Sequence, residues 1–312
     1  MGSSVALSEK QKSNFWQIIR GICILAVIMI HCPSGVSYGV GSKEFIIWLS
    51  IRQLINFPVA TFIFLSGYFT NINKCQSNCK MYVLSRGKRL LIPYLIWSVF
   101  YSLVSIVQTV HSGGVINWKG IIYRIVVGKA CTPLYYIVVL IQLTFLTPML
   151  IKVISKKRML RRFLWLLTPA YLVFIYGYNI SLGKMPKLYA TFFPAWFIFY
   201  YLGLHIKLNS AAWKKNIQRF GKPHLVILAI LLSMAESFLL VQLGCDSSFV
   251  SSQIKISSFL YSTILIIYIY IYKRKECTES KDKKIYKISR RLLLWNILYP
   301  LLHFDDCRKG AL

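Results

Sequence analysis

The chain has 312 residues, of which 56% are hydrophobic and only 15% are charged, and its mean hydropathy is +0.55. A soluble globular protein carries about a quarter charged residues, so this composition excludes a soluble domain and indicates an integral membrane protein with several spans. The formal charge of +29 does not indicate a nucleic-acid-binding protein, because the basic residues lie between apolar runs rather than along one folded surface.

Apolar runs recur along the whole chain and predict an all-α fold, a polytopic transmembrane helical bundle of about 8–10 spans. The candidate spans are residues 15–32, 45–70, 90–110, 133–154, 163–178, 191–206, 225–243 and 257–272. A further run, 292–304, is too short to cross a bilayer alone. The segment 111–132 is amphipathic, so we expect it to lie in the outer interface or to dip back into the bundle.

Lys and Arg are distributed unevenly between the connecting segments. If the N-terminus is cytoplasmic, the inside segments carry 27 basic residues and the outside segments carry 7. This alternation follows the positive-inside rule and predicts a protein of the cytoplasmic membrane with its N-terminus inside. The first run contains Arg20 and lacks a small-residue cleavage site, so we expect a retained span rather than a cleaved signal peptide.

The first span contains an arginine near its start, Arg20, and a histidine near its end, His31. Their spacing of eleven residues is three helical turns plus about 20°, so both lie on one helix face, roughly 16 Å apart along the axis. Polar side chains inside a span usually face a protein interior or a water-filled cavity and mark a functional site. For His31 the alternative is an interfacial histidine at a helix end.

Two motifs flank the basic loop after the second span. Ser66-Gly67-Tyr68 ends that span, and a glycine there lets the backbone approach a ligand or another helix. Arg86 and Arg89 end the loop; if helical they share a face and can bind phosphate oxygens, whereas the alternative is an ordinary basic flank.

Two more charges fall within predicted spans. Arg52 either extends to the interface or lines a pocket near His31. An unpaired carboxylate in a span is costly, so we expect Glu236 to be protonated or paired with Arg20, Arg52 or His31 and to orient a polar group in the cavity. The alternative is that its span is offset and Glu236 reaches the interface.

Taken in order, these motifs resemble the bacterial acyltransferase-3 membrane proteins, which include O-antigen and capsule O-acetylases. The resemblance covers residues 14–300 and is strongest over the first hundred. The matching positions are Arg20 and His31 with ten residues between them, Ser66-Gly67-Tyr68, Arg86 and Arg89, the run 92–97, and the run 133–136, where Tyr136 replaces a frequent tryptophan.

The resemblance implies an acyl-CoA donor, usually acetyl-CoA, and a hydroxyl of an envelope or secreted carbohydrate as acceptor. It implies His31 as the catalytic residue, either a general base or an acyl carrier, and Arg20 as a second functionally important residue of the catalytic site. It also implies a donor-binding group, formed by Ser66, Gly67, Tyr68, Arg86 and Arg89. No metal is expected.

The resemblance also bears on the domain organisation. We expect one transmembrane domain over residues 1–304 and a short polar tail over 305–312, truncated or divergent relative to the family. Two other functions stay open: a transporter or flippase of a polar envelope precursor, for which buried charges would form a substrate path, and a non-catalytic membrane binding module. Acetyl-CoA consumption separates the enzyme from both.

Overall fold

The computed structural model describes residues 2–31, 42–210, 213 and 217–279, and within these ranges all regular structure is helical. The chain divides into two compact units, residues 17–268 and residues 1–16 with 269–312. The described α-helices are α1 Gly2–His31, α2 Lys43–Leu54, α3 Pro58–Tyr68, α4 Ile72–Ser77, α5 Cys79–His111, α6 Trp118–Val126, α7 Tyr135–Lys156, α8 Arg158–Phe163, α9 Leu167–Leu182, α10 Phe197–Leu208, α11 Pro223–Gln242, α12 Ser247–Val250 and α13 Ile256–Glu279.

The predicted all-α polytopic bundle is confirmed. Six stretches of the described chain are long and apolar enough to cross a membrane: Lys43–Tyr68, Cys79–His111, Thr132–Lys156, Arg158–Leu182, Pro223–Gln242 and Ile256–Lys273. Two shorter apolar helices, Phe15–His31 and Phe197–Leu208, coincide with the first and sixth predicted spans. The inside N-terminus and the single domain over 1–304 stay predictions, and 292–304 and 305–312 lie outside the described residues.

The second span is interrupted rather than continuous. Helix α2 ends at Leu54 and α3 begins at Pro58, whose fixed φ and missing N–H suit the first turn of a helix. The hydroxyl of Tyr261 donates to the Leu54 carbonyl at 2.8 Å and satisfies one backbone group at the break. Arg52 before the interruption and Phe62 after it both line the cavity described below.

Helices α3 and α10 cross with their backbones almost in contact. A Cβ added at Gly67 would lie 2.3 Å from the Tyr200 carbonyl oxygen, and one added at Gly203 would lie 2.3 Å from the Phe64 carbonyl oxygen. Only glycine lets two helices approach so closely. The sequence left open whether Gly67 approaches a ligand or a helix, and here its neighbour is a helix.

The segment between the second and third spans, expected as a basic loop, is helical instead. Asn78 caps α5 by accepting a hydrogen bond from the Met81 amide at 2.9 Å, so the helix starts at Cys79 and already includes Arg86 and Arg89. A side-chain cap at Asn78 satisfies an N–H that the first turn leaves without a partner. The helix then continues through Pro93 to His111.

The sixth predicted span, 191–206, is helical only from Phe197 apart from a short 3-10 turn. The preceding backbone is held by side chains: Gln142 Nε2 donates to the Thr191 carbonyl at 3.0 Å, and Trp196 Nε1 donates to the Ala190 carbonyl at 2.8 Å. Irregular backbone within a membrane protein is tolerated where protein groups satisfy it or where it lines a cavity. This segment does both.

The second compact unit contains the start of α1 and the end of α13. Within it, Trp16 and Lys273 are buried, and Lys273 Nζ lies 4.6 Å from the centroid of the Trp16 ring. A cation over an indole face is attracted by the ring quadrupole, and this contact joins the first and last described helices of that unit.

Candidate active site

A cavity of about 450 Å³ opens within residues 17–268 where α1 ends. Its walls come from the last turns of α1, the α2–α3 interruption, the start of α7 and two irregular segments around residues 190 and 250. The lining residues are Ile24, Val27, Ile28, Ile30, His31, Arg52, Val59, Phe62, Thr132, Pro133, Tyr135, Tyr136, Tyr189, Ala190, Trp196, Ser248, Ser251, Ser252, Gln253 and Ile254. A mostly apolar cavity with a few convergent polar groups is the usual form of a small-molecule site.

His31 and Arg52 both line this cavity. Arg52 Nη1 donates to the carbonyl of Ile30 at 2.7 Å, and Nε donates to the carbonyl of Ser251 at 3.3 Å. The guanidinium also lies over the Trp48 ring, 5.9 Å from its centroid. Arg52 therefore lines the pocket beside His31, which was one of the two alternatives for this residue. Its bond to the Ile30 carbonyl also holds the last turn of α1.

Aromatic side chains form much of the cavity wall. The rings of Phe62 and Tyr136 stack at 6.2 Å, with Tyr135, Tyr189 and Trp196 also in the lining. Burial and the nearby Asp246 raise the pKa of Tyr189, against an opposing effect of Arg52. Its phenol stays protonated at neutral pH, so it can both donate and accept a hydrogen bond.

Arg86 lies in a separate polar network between α3 and α5. Its Nη2 donates to Ser66 at both the carbonyl oxygen (2.8 Å) and Oγ (2.5 Å). Its Nη1 donates to Thr70 Oγ1 at 2.9 Å and to the Tyr82 hydroxyl. Tyr200, whose ring lies under the guanidinium at 5.9 Å, bonds to Thr147 through its hydroxyl. Both terminal nitrogens of Arg86 thus hold the end of α3.

Arg89 and Arg20 are exposed, in contrast to Arg86. Arg89 Nε donates to the carbonyl of Ser85 one turn earlier, at 3.2 Å. The Arg20 guanidinium lies 5.2 Å from the Phe69 ring centroid, and Lys207 Nζ lies 5.9 Å from the Tyr68 ring centroid. The end of α3 therefore gathers exposed cations from other helices, including Lys207, which the sequence analysis counted only as a basic flank.

The two regions are close along α3. Phe62 lines the cavity and Ser66 bonds to Arg86. These residues are four apart, so about 6 Å of helix separates them along the axis. On α1 the separation between Arg20 and His31 is roughly 16 Å. One helical bundle thus carries a cationic end and a histidine-containing cavity within the reach of an extended ligand.

The sequence profile of an acyltransferase domain matches residues 13–290, most of the chain. The chain belongs to the acyltransferase-3 family. The family assignment makes this multi-pass membrane protein an acyltransferase and confirms the resemblance carried by the motifs.

Relatives of this acyltransferase-3 protein occur in Staphylococcus aureus strains MSSA476, MW2 and N315. Each is named "probable poly-beta-1,6-N-acetyl-D-glucosamine export protein" and is 23% identical over 261 residues, which cover 80% of this chain and 71% of the relative. No solved structure matches the chain.

Glu236 of this acyltransferase-3 protein does not have the partners expected from its sequence. Its carboxylate accepts hydrogen bonds from the Tyr176 hydroxyl and from the side chain and backbone N–H of Ser257, the latter at 2.9 Å. The carboxylate lies at the first turn of α13, so pairing with Arg20, Arg52 or His31, one of the alternatives, is not what the described residues show. An anion there is stabilised by the N–H groups and the helix dipole.

The sequence patterns did not predict a buried polar cluster that lies behind the cavity wall. Its central residues are Gln53, Asn56 and Lys255, all with a buried side chain. Gln53 and Asn56 are three residues apart in a predicted span, so their shared face was a signal. Lys255 was counted only as a basic residue of an outer loop.

Proposed function

We propose that this protein is an O-acyltransferase that moves an acetyl group from acetyl-CoA to a hydroxyl of a cell-envelope or secreted carbohydrate. The family match supports acyl transfer. The name of its staphylococcal relatives, which refers to poly-beta-1,6-N-acetyl-D-glucosamine, supports a polysaccharide acceptor. The observation that carries the proposal is the placement of His31 and Arg52 in one cavity.

His31 is proposed to act on the acceptor hydroxyl. As a general base, the neutral imidazole takes the hydroxyl proton while the oxygen attacks the thioester carbonyl, the C–S bond breaks and CoA leaves as the thiol after protonation. As an acyl carrier, the imidazole nitrogen attacks the thioester carbonyl, the C–S bond breaks and CoA leaves as the thiol with the imidazole proton. The acceptor hydroxyl then attacks the acetyl-imidazole, the C–N bond breaks, and the hydroxyl proton returns to the imidazole. Both routes use the same residue in the same cavity.

Arg52 is proposed to stabilise the charge that develops on the carbonyl oxygen. A guanidinium has five N–H donors, and the contacts to Ile30 and Ser251 use two of them. Those contacts hold the group rigidly, and a preorganised donor needs no reorganisation during the reaction. Mutational loss of one such donor typically lowers turnover by about 10²–10³-fold.

The donor is proposed to bind at the cationic end. The CoA phosphates would be held by three exposed cations, Arg89, Arg20 and Lys207. Arg86 instead shapes the end of α3, because its terminal nitrogens are already bonded within the protein. The slender pantetheine arm would extend past Phe62 toward His31. With the N-terminus inside, the donor would enter from the cytoplasm and the acceptor from the outer side.

The deciding experiment measures acetyl-CoA consumption by the purified protein in liposomes supplied with an envelope glycan extract. We expect His31→Ala to lower turnover by about 10²-fold or more. His111→Ala is the matched control, because His111 is an exposed histidine at the end of α5, and it should retain wild-type turnover. Unchanged turnover in a folded His31→Ala protein would remove His31 from the mechanism.

Polysaccharide export is the second candidate function, and the name of the staphylococcal relatives favours it. Under this function the cavity would be part of a path for a glycan chain. Movement of the glycan across a liposome membrane without acetyl-CoA consumption would support export. Consumption that depends on His31 would support acyl transfer.

A further inference from the structure

Lys255 is a fully buried lysine whose Nζ has three partners. It donates to Gln53 Oε1 at 2.9 Å, to the Val250 carbonyl at 2.8 Å and to Ser237 Oγ. The Ser237 hydroxyl donates its hydrogen to the Ser233 carbonyl at 2.7 Å, so it accepts the hydrogen bond from Lys255. Three acceptors match the three N–H groups of an ammonium ion.

A buried cation is costly, which makes this arrangement informative. Burial lowers the pKa of Lys255 to about 7, with Glu236 opposing and Arg52 adding to the shift. An apolar side chain of similar size would avoid that desolvation and would often be no less stable. The three directed bonds are what an apolar replacement would lose.

The bonds of Lys255 lead to the residue next to Arg52 in the chain and to one of the two acceptors of Arg52, the Ser251 carbonyl. Gln53, which follows Arg52 in the chain, accepts at Oε1 from Lys255 and, at 3.3 Å, from Asn56 Nδ2. Asn56 Nδ2 also donates to the Ser251 carbonyl at 3.3 Å, the same oxygen that accepts from Arg52 Nε. Lys255 holds the Val250 carbonyl, one residue before Ser251. The guanidinium is therefore fixed at its own helix and at its acceptor.

We propose that Lys255 is a positioning residue of the acyl-transfer cavity. Its Nζ fixes Gln53 and the 250–252 backbone, and through them it orients Arg52 toward the carbonyl of Ile30, beside His31. Lys255 is not in the cavity lining and touches no substrate. The kinetic part of this inference rests on the proposed function, whereas the positioning itself is a property of the folded protein.

The test compares Lys255→Met with wild type in the full-length protein by amide hydrogen exchange. Most backbone N–H groups in 248–254 donate hydrogen bonds, for example Val250 to the Asp246 carbonyl at 3.0 Å, so their exchange reports opening of this cavity wall. We expect about tenfold or faster exchange over 248–254 and no change over 58–68 in α3. Lys184→Met, which removes an exposed lysine of the neighbouring segment, is the matched control and should change neither.

Kinetics provide the second readout. With acyl-transfer activity present in wild type, Lys255→Met should lower kcat by about 10–100-fold and leave the KM for acetyl-CoA unchanged, because the donor's proposed phosphate site is distant. Lys255→Arg, which keeps the charge and donors, should restore part of both the exchange protection and kcat. A wild-type protein without turnover would refute the proposed function, yet the exchange data would still decide the positioning.

Unchanged exchange over 248–254 in Lys255→Met overturns the inference. If Lys255→Met unfolds throughout, residues 58–68 will also exchange faster. The milder variant Ser237→Ala then tests the inference in its place. It removes one of the three acceptors of Lys255 and should speed exchange over 248–254 several-fold with α3 unaffected. Unchanged exchange in Ser237→Ala would then overturn it.

Discussion

Replacing Gly67 with alanine tests whether the Ser-Gly motif serves helix packing. The added Cβ would lie 2.3 Å from the Tyr200 carbonyl oxygen and 3.3 Å from the Leu204 amide nitrogen, so α3 and α10 must separate by about 1 Å. Overpacking of this kind typically costs about 1–3 kcal/mol. Gly177→Ala in α9 is the matched control, because nothing lies within 4 Å of its added Cβ.

Both substitutions replace a helical glycine by alanine, so both receive the same gain in helix propensity, about 1 kcal/mol. Their difference isolates the steric effect, and Gly67→Ala should be less stable than Gly177→Ala by about 1–3 kcal/mol. Thermal unfolding in one detergent, followed by tryptophan fluorescence, measures this difference. Equal unfolding temperatures, combined with lost acetyl-CoA binding in Gly67→Ala, would refute the packing argument and assign Gly67 to the ligand.

Four further predictions concern charged side chains. Arg86→Lys keeps the charge but cannot reproduce the paired bonds to Ser66, so it should lower the free energy of unfolding by about 1–3 kcal/mol, measured by thermal unfolding. Arg89→Ala should weaken acetyl-CoA binding in calorimetric titration without changing the unfolding temperature. Unchanged stability in Arg86→Lys, or lowered stability with unchanged binding in Arg89→Ala, would contradict these roles. Glu236→Gln should lower the free energy of unfolding by about 1 kcal/mol, because it removes an anion from the first turn of α13. It should change acetyl-CoA turnover by only a few-fold. Loss of turnover with unchanged stability would indicate a role in catalysis. The pKa of Lys255 is about 7 in the folded protein, below the ordinary value of 10.5 for a lysine. Between these two values the unfolded chain binds more protons, so the free energy of unfolding should rise with pH. Denaturation series at pH 7 and pH 10 should show this rise in wild type and not in Lys255→Met.

The helices themselves were accessible from the sequence because apolar runs of span length have few alternatives in a membrane protein. The eight predicted spans within residues 15–272 all contain described helices, and Arg52 lies near His31 as one alternative foresaw. The interruption at Pro58 was not anticipated, although proline at a first helical turn is a known start signal. The apolar run hid the interruption, since Ile55 and Phe57 are apolar and only Asn56 between them is polar.

The pairing of polar side chains was the part that the sequence could not provide. Glu236 and Lys255 bond to residues brought near by tertiary folding, such as Gln53, which lies 202 positions from Lys255 in the chain. Counting charges by segment treats every lysine alike, so a buried lysine next to the cavity was assigned to an outer loop. The Ser66 contact of Arg86 likewise depends on how α3 and α5 meet.

The irregular backbone around the cavity has a consequence for how such proteins diversify. The walls near residues 190 and 250 are held by side-chain bonds from Gln142, Trp196 and Lys255, whereas the cationic end rests on the glycine-mediated crossing of α3 and α10. Loop sequence can therefore vary while the helix crossing is retained. We expect homologues with different acceptors to differ in these two wall segments and to keep the small residues at the crossing, so that grafting both segments together should transfer acceptor preference.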